Sequence, residues 1–437
     1  MDQAQAVEQL ALQVVTVGDQ VINLGDTAFM IICTALVLFM TPGLALFYAG
    51  MVRKKNVLST TMHSFFSMGL TSIIWAVIGY TIAFGGTEGP LGPYIGNFTK
   101  VGLSGVINSA FGIEGHYMPE SVFAMFQGMF AIITVGLITG AFAERMKFKA
   151  YAIFAAIWVI VVYSPMAHWV WGGGWLGANG VKALDFAGGT VVHIASAAAA
   201  LACAIMLGKR KDHGTAAIQP HNLPMTILGA GILWFGWFGF NAGSELAVDG
   251  VAGSAFMVTH LAAAAGLLGW IVVEWMQHGK PTTLGAASGA VAGLVGITPA
   301  AGFVDAVPGM LIGFAAGAAC YFGVKIKNKF GFDDALDVVG VHGVGGTLGA
   351  IATGLFASTA ASGAVEFLGG TNGLFYGGGV EQLVRQLISV VAAWAFSFIV
   401  SLVILKVVDL MVGLRAEPEA EETGLDLADH AETGYVL

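Results

Sequence analysis

The sequence predicts an all-α membrane protein of eleven transmembrane helices, with an inverted five-helix repeat (spans 1–5 and 6–10) followed by one further helix. Three observations carry this prediction: a charge-poor composition, apolar runs of spanning length, and a motif that occurs twice. Hydrophobic residues make up 57% of the 437 and charged residues 10%, whereas soluble domains carry about 25% charged residues. So few charges cannot cover a soluble surface. The 63 glycines supply the small residues that let helices approach closely in a bilayer.

A bilayer core about 30 Å thick takes roughly 20 mostly apolar residues per helix. Met1 to Leu24 holds Asp2, Glu8 and Asp19, no basic residue and only a short apolar run. It does not read as a signal peptide, and 1–25 is expected to form an external segment. The first span, 26–50, ends in LFYAG, and the second, 57–84, follows Arg53, Lys54 and Lys55. Residues 85–120 are expected to form a loop, because Gly85-Gly86, Gly89-Pro90 and Pro93 favour turns. Spans at 121–143, 150–169 and 186–207 complete the first half. The second half comprises 223–242, ending in GFNAG, then 255–277, 284–301, 308–325 and 337–357; the last span lies at 384–412. The membrane domain thus covers 26–413, with halves at about 26–207 and 223–357, and 414–437 form a tail.

Positive charge resists translocation, so Lys and Arg mark the cytoplasmic side. With the N-terminus outside, fifteen of the 18 Lys and Arg fall inside, and Lys100, Lys182 and Arg385 remain outside. Adding or dropping one span reverses every later loop and destroys this asymmetry. The net charge of −9 is concentrated in the tail, where seven acids from Glu417 to Glu432 follow Arg415 without a basic residue; the rest carries −2. A cytoplasmic, solvated acidic tail is expected. Cys33, Cys203 and Cys320 lie in separate apolar runs and read as small core residues rather than a disulfide or zinc set.

The repeat appears in two places. Asp185 precedes His193 by eight residues in DFAGGTVVH, and Asp334 precedes His342 by eight in DALDVVGVH. LFYAG at 46–50 and GFNAG at 239–243 likewise close the first and sixth spans. An odd number of spans per half makes the second copy enter from the opposite face. Eight helical residues place each histidine about 12 Å below its aspartate, measured from opposite faces of the core. The two histidines then differ in depth by only about 6 Å, near the midplane.

A polar group inside a span must find a partner or line a cavity, since a charge at the helix centre costs about 2.5–3.5 kcal/mol on insertion scales. One such histidine reads as an interhelical hydrogen bond; His193 and His342, at matching positions and depth, read as a shared pore site. No carboxylate or cysteine completes a coordination sphere, so no metal is expected, and no nucleophile–base pair marks an enzyme. Paired imidazoles share a proton and present donors or acceptors along a narrow path, which suits a small solute or a proton. Asp185 and Asp334 stand where helices begin and are expected to cap exposed N–H groups. Phe126 and Phe130 share one face of the third span, Trp171 ends the fourth externally, and Trp237, Phe240 and Ser244 end the sixth. Aromatic faces attract cations and a hydroxyl accepts their hydrogen bonds, so this external convergence suggests a cation site.

At these strings the sequence resembles the ammonium transporter family (Amt/MEP/Rh), in its bacterial Amt branch. The likeness runs from TPGLALFYAGMVRKKN at 41–56 through FQGMFAIITVGLITGAFAERMKF, HWVWGGGWL, LDFAGGTVVHI, QPHNLP at 219–224 and GWFGFNAGSE to DDALDVVGVHGVGG. It implies a homotrimer in a bacterial inner membrane, each subunit with its own central pore, N-terminus outside and C-terminus cytoplasmic. The resemblance further implies an outer ammonium site at Phe126, Trp171 and Ser244, a gate at Phe130 and Phe240, and twin histidines at His193 and His342. Trp237 is implied to line the pore and Asp185 to be structurally required. Trp171 favours the Amt over the Rh branch. In the implied mechanism ammonium or methylammonium is recruited outside and deprotonated, and crosses as ammonia; potassium has no proton to give up. An ammonium sensor signalling through its tail is the alternative. No cofactor or nucleic acid is implied. The tail GLRAEPEAEETGLDLADHAETGY resembles one on which P-II nitrogen-signalling proteins dock, although Ala431 follows His430 where many relatives carry glycine, and extra acids are present.

Overall fold

The apolar runs become long helices, because inside a bilayer a helix satisfies all its backbone hydrogen bonds internally. The computed structural model describes residues 15–215 and 218–436; most of the expected external segment, 1–14, lies outside them. The helices are α1 (Leu24–Met51), α2 (Lys54–Phe84), α3 (Glu120–Phe142), α4 (Phe148–Val170), α5 (Gly189–Leu207), α6 (Leu223–Glu245), α7 (Gly250–His278), α8 (Thr283–Ile297), α9 (Ala306–Phe330), α10 (Val339–Phe356) and α11 (Glu381–Val412). Among the described residues ten of these have the length and hydropathy to cross a membrane, and α8, with 15 residues, is the shorter apolar helix.

Several boundaries shift by a few residues from their predicted places, and two of these shifts bear on the site. The run 284–301 stops helical at Ile297 and turns through Thr298–Phe303, where Pro299 has no N–H to extend the ladder. The Pro299 carbonyl accepts the Phe186 N–H at 3.1 Å, and the Pro299 ring occupies the space beside Gly189 where a Cβ would collide. The end of α8 thereby packs on the start of α5. That helix begins at Gly189 rather than 186, after Gly188 at φ +113°, a backbone open to glycine.

Contacts between α1 and α6 show the inversion. Gly43 meets Ile232 and the Gly229 carbonyl, while Gly236 meets Met40 and the Leu36 carbonyl. Rising numbers on one helix meet falling numbers on the other, so the two run antiparallel. Aligning LFYAG with GFNAG maps Gly43 onto Gly236 and Leu36 onto Gly229, so each contact is the image of the other. Both helices also start on an asparagine cap, though not at aligned positions: the Asn23 side chain caps α1 at the Asp26 N–H, and Asn222 caps α6 at the Met225 N–H, both at 3.0 Å.

In the interior, α3 is buried along 89% of its most apolar stretch and α11 along only 33%, so α3 is central and α11 peripheral. At one face of the bundle, residues 85–120 form turns and short helical segments. Their strand Ala110–Phe111 pairs with Met118–Pro119, and the Asn23 N–H joins the Tyr117 carbonyl at 2.8 Å. At the other face an ion-pair cluster ties the helix ends together. Glu144 receives Arg53, Arg210 and the Asn56 amide, and Asp333 receives both arms of Arg210 at 2.8 and 2.9 Å. Burial works to raise Glu144 and Asp333, but Arg53 on the first and Arg210 on the second outweigh it and hold both carboxyls below their ordinary range. The tail helices α12 (Pro418–Thr423) and α13 (Leu425–His430) pack beneath this face, with Asp426 accepting the Ser59 N–H at 2.8 Å and Asp429 the Phe148 N–H at 3.3 Å.

Candidate functional site

His193 and His342 both sit in π-helical turns, Gly189–Ile194 and Val339–Gly343, a feature that often marks functional positions. Each turn is set by the aspartate eight residues earlier, though unequally. Asp185 Oδ1 accepts the Gly188 and Gly189 N–H groups at 3.0 and 2.6 Å, and Oδ2 accepts those of Thr190 and Val191 at 2.8 and 3.3 Å together with the Thr190 hydroxyl. Asp334 Oδ2 accepts the Val339 N–H at 2.7 Å. Both act as helix caps, satisfying N–H groups that the first turn leaves free.

The result brings the two imidazoles together: Nδ1 to Nδ1 is 3.2 Å and the ring centres are 5.2 Å apart, 27° from parallel. A bond between two Nδ1 atoms requires one to carry the proton and the other a lone pair. For neutral rings the Nε2 atoms then take opposite roles, one a free acceptor and the other a donor. Both side chains are buried, and His193 Nε2 has no partner among the described residues.

Above the pair runs an aromatic column. His193 lies 5.5 Å from Trp237 and 6.2 Å from Phe240, and Phe240 stacks on Phe130 at 4.1 Å. Phe130 meets Trp171 edge-on at 6.0 Å and Phe126 at 4.9 Å. The indole N–H of Trp237 donates to Thr298 Oγ1 and that of Trp171 to the Asp185 carbonyl, at 2.9 and 2.8 Å, so both rings are held in place. The Ser244 hydroxyl donates to the Phe240 carbonyl at 2.8 Å, leaving its lone pairs to accept from a solute.

Three cavities lie in series along this column. An outer vestibule of about 530 Å³ is lined by Phe130, Trp171, Asp185 and Ser244. Beyond the Phe130–Phe240 stack, an enclosed cavity of about 20 Å³ is walled by His193, His342, Trp237 and Phe240, room for about one water-sized molecule. An inner vestibule of about 300 Å³ shares His342, Phe47, Tyr48 and Val291 with it. The enclosed cavity suits a very small solute and not a bulky organic one. Among the described residues no three His, Cys, Asp or Glu side chains group to hold a metal.

Of the outer-site residues expected from sequence, Trp171 and Ser244 line the vestibule, whereas Phe126 is fully buried behind it against Phe130 and beside Gly243. Other residues at the site escaped the sequence reading. Phe47 was within reach, since the repeated string pairs it with Phe240, and both wall the enclosed cavity. Gln127 and Glu245 in the outer vestibule, and His278, Tyr321 and Lys325 in the inner one, carry no motif of their own.

The sequence matches the Ammonium Transporter Family over residues 28–435. It is 54% identical over 418 residues to an ammonium transporter of Bacillus subtilis (strain 168), covering 94% of this chain and 99% of that one. The fold resembles the crystal structure of Candida albicans Mep2 with a TM-score of 0.83 at 34% identity, covering 97% and 95% of the two chains. A solved protein named Sensor Amt Protein also matches at a TM-score of 0.83, with 28% identity over 93% of this chain and 98% of that one.

Proposed function

The chain is a multi-pass membrane protein belonging to the ammonium transporter family, and from that premise we propose that it passes ammonium or methylammonium through a twin-histidine pore by deprotonating the cation. The observation that carries this reading is the buried 3.2 Å imidazole pair beside a cavity of about 20 Å³. A cation collects in the outer vestibule against Trp171 and Ser244, where the indole face and hydroxyl lone pairs favour it. It passes the Phe130–Phe240 gate and gives up a proton, and ammonia continues along the pair. The free Nε2 acceptor takes up the proton, the shared Nδ1 proton shifts to the other ring, and that ring releases its own from Nε2. Both tautomers end reversed and must reset before the next cycle. Potassium offers no proton and meets an apolar, dehydrating constriction, so the same step sets selectivity.

The charge distribution supports an N-terminus outside and a C-terminus in the cytoplasm, and in this reading the membrane is a bacterial inner membrane. Three such subunits form the working assembly in this reading, each with its own pore. The acidic tail, packed beneath the cytoplasmic face, offers a P-II-type regulator its docking surface. A second reading, an ammonium sensor that uses the same vestibule and moves little solute, is favoured by the tail's contacts with the starts of α2 and α4. Uptake of labelled methylammonium into proteoliposomes separates the two: transport gives saturable accumulation beyond empty liposomes, and its absence in folded protein refutes the transport reading.

A further inference from the structure

The two vestibules differ in the charges that line them. No Lys or Arg is among the side chains of the outer one. The inner one, the cavity of about 300 Å³ that shares His342 with the enclosed cavity, is lined by Lys325 together with Glu274, Asp337 and His278. The transport steps above give Lys325 no task.

Lys325 is held in place on α9. Its Nζ donates to the Tyr321 hydroxyl at 2.8 Å and stands 4.1 Å from the centre of that ring, close enough for the ring to attract a cation. Tyr321 is itself buried and meets Trp270 of α7 edge-on at 5.7 Å, so the anchor is rigid. No carboxylate pairs with Lys325 among the described residues. Asp337 is taken by Lys327 at 2.6 Å, and Glu274 accepts the Thr282 N–H and hydroxyl, both at 2.9 Å, at the start of α8. With Asp337 matched by Lys327, the charge of Lys325 stands against that of Glu274, and His278 adds no negative charge in either protonation state. The inner vestibule thus carries no net negative charge. Without Lys325 one carboxylate would be left unbalanced beside the route to His342, and fixed charge in a cleft sets the local concentration of ions.

We infer that Lys325 is an electrostatic filter at the inner mouth of the pore: it cancels the carboxylate charge there and keeps ammonium, alkylammonium and potassium ions from collecting beside His342. This rests on the transport reading and deepens it, because it makes the inner vestibule a place that ammonia leaves and that cations re-enter poorly. A like charge repels every cation and leaves neutral ammonia untouched. Equilibrium across the membrane is unaffected, since a fixed charge alters entry and exit together; what changes is how readily each face saturates.

The test is the half-saturation concentration for labelled methylammonium, measured at the outer face in right-side-out membrane vesicles and at the inner face in everted ones, with the uptake of vesicles lacking the protein subtracted. In wild type the inner-face value is expected to exceed the outer-face value severalfold. Lys325→Met is expected to lower that ratio severalfold by tightening the inner face, a change in the opposite direction to damage. Lys325→Arg keeps the charge and should keep the wild-type ratio. Lys329→Met removes an exposed lysine from the same end of α9, outside the vestibule lining, and should leave the ratio unmoved. An unmoved ratio in Lys325→Met overturns the inference. So does an equal fall in Lys329→Met, which would make the effect general surface charge, or in Lys325→Arg, which would make it packing. If Lys325→Met gives no folded protein, the wild type carries the test, and an inner-to-outer ratio at or below one overturns the filter. Wild-type vesicles of both orientations that take up no methylammonium refute the transport reading itself, whereas uptake with an unmoved ratio refutes the filter alone.

Discussion

Asp185→Asn separates a cap from a ligand. The carboxylate accepts four backbone N–H groups and the Thr190 hydroxyl, two donors on Oδ1 and three on Oδ2. An amide nitrogen cannot accept, so the substitution strands at least the two donors of one oxygen. Each buried donor left unpaired costs about 1–3 kcal/mol, so the start of α5 loses about 2–6 kcal/mol. His193 depends on that turn directly, because its backbone N–H bonds the Gly188 carbonyl at 3.0 Å. The expected outcome is a lowered thermal midpoint in detergent together with a reduced maximal rate of methylammonium uptake. Asp334→Asn places a single capped N–H at stake, and its remaining oxygen still accepts, so its midpoint should stay close to wild type. An Asp185→Asn variant with the wild-type midpoint and only a raised half-saturation would refute the reasoning, since it would make Asp185 a ligand and not a cap.

Replacing both His193 and His342 by leucine should abolish methylammonium uptake while leaving folded protein, checked by gel filtration and uptake together. Phe240→Ala removes one ring of the 4.1 Å stack; uptake should become less selective against potassium, with a stability loss toward the lower end of the about 3–5 kcal/mol found for buried Phe→Ala, because cavities already adjoin the ring. Ala431 holds φ +55°, a left-handed backbone costing a non-glycine residue about 1 kcal/mol, so Ala431→Gly should slow amide exchange in α13. Glu144 and Asp333 have folded-state pKa values below their ordinary ones, so their contribution is present above about pH 4.5 and is lost as pH falls through the folded values. The thermal midpoint should therefore drop on acidification from about pH 5 to about pH 3. Arg210→Met should lower it at neutral pH and weaken the acid dependence, because burial then weighs on Asp333 while Arg53 still holds Glu144.

The spans, their order and the Asp-to-His spacing were legible in the sequence because bilayer thickness and helical rise leave few alternatives. The antiparallel contact of Gly43 with Gly229 follows from an odd repeat, and the LFYAG and GFNAG strings announced it. What lay beyond reach depends on packing. Nothing in 284–301 alone says that Pro299 will close against Gly189 and leave α8 short, because the partner lies about a hundred residues away in the chain. Phe126 and Phe130 share a face by spacing, yet Phe130 stacks on Phe240 and lines the vestibule while Phe126 is buried beside Gly243 of another helix. Gln127 stands out only through an Oε1 with no partner among the described residues, and that property exists only once the chain is folded.

In the proposed mechanism a buried imidazole pair passes ammonium by way of its proton. It is tested most directly by uptake of labelled methylammonium into proteoliposomes, competed in parallel by ammonium and by potassium, for wild type and for the double His193→Leu, His342→Leu variant. Wild-type uptake is expected to saturate and to be suppressed by ammonium and not by potassium, with none above background in the variant. Equal suppression by potassium, or full selective uptake in the double variant, would contradict it.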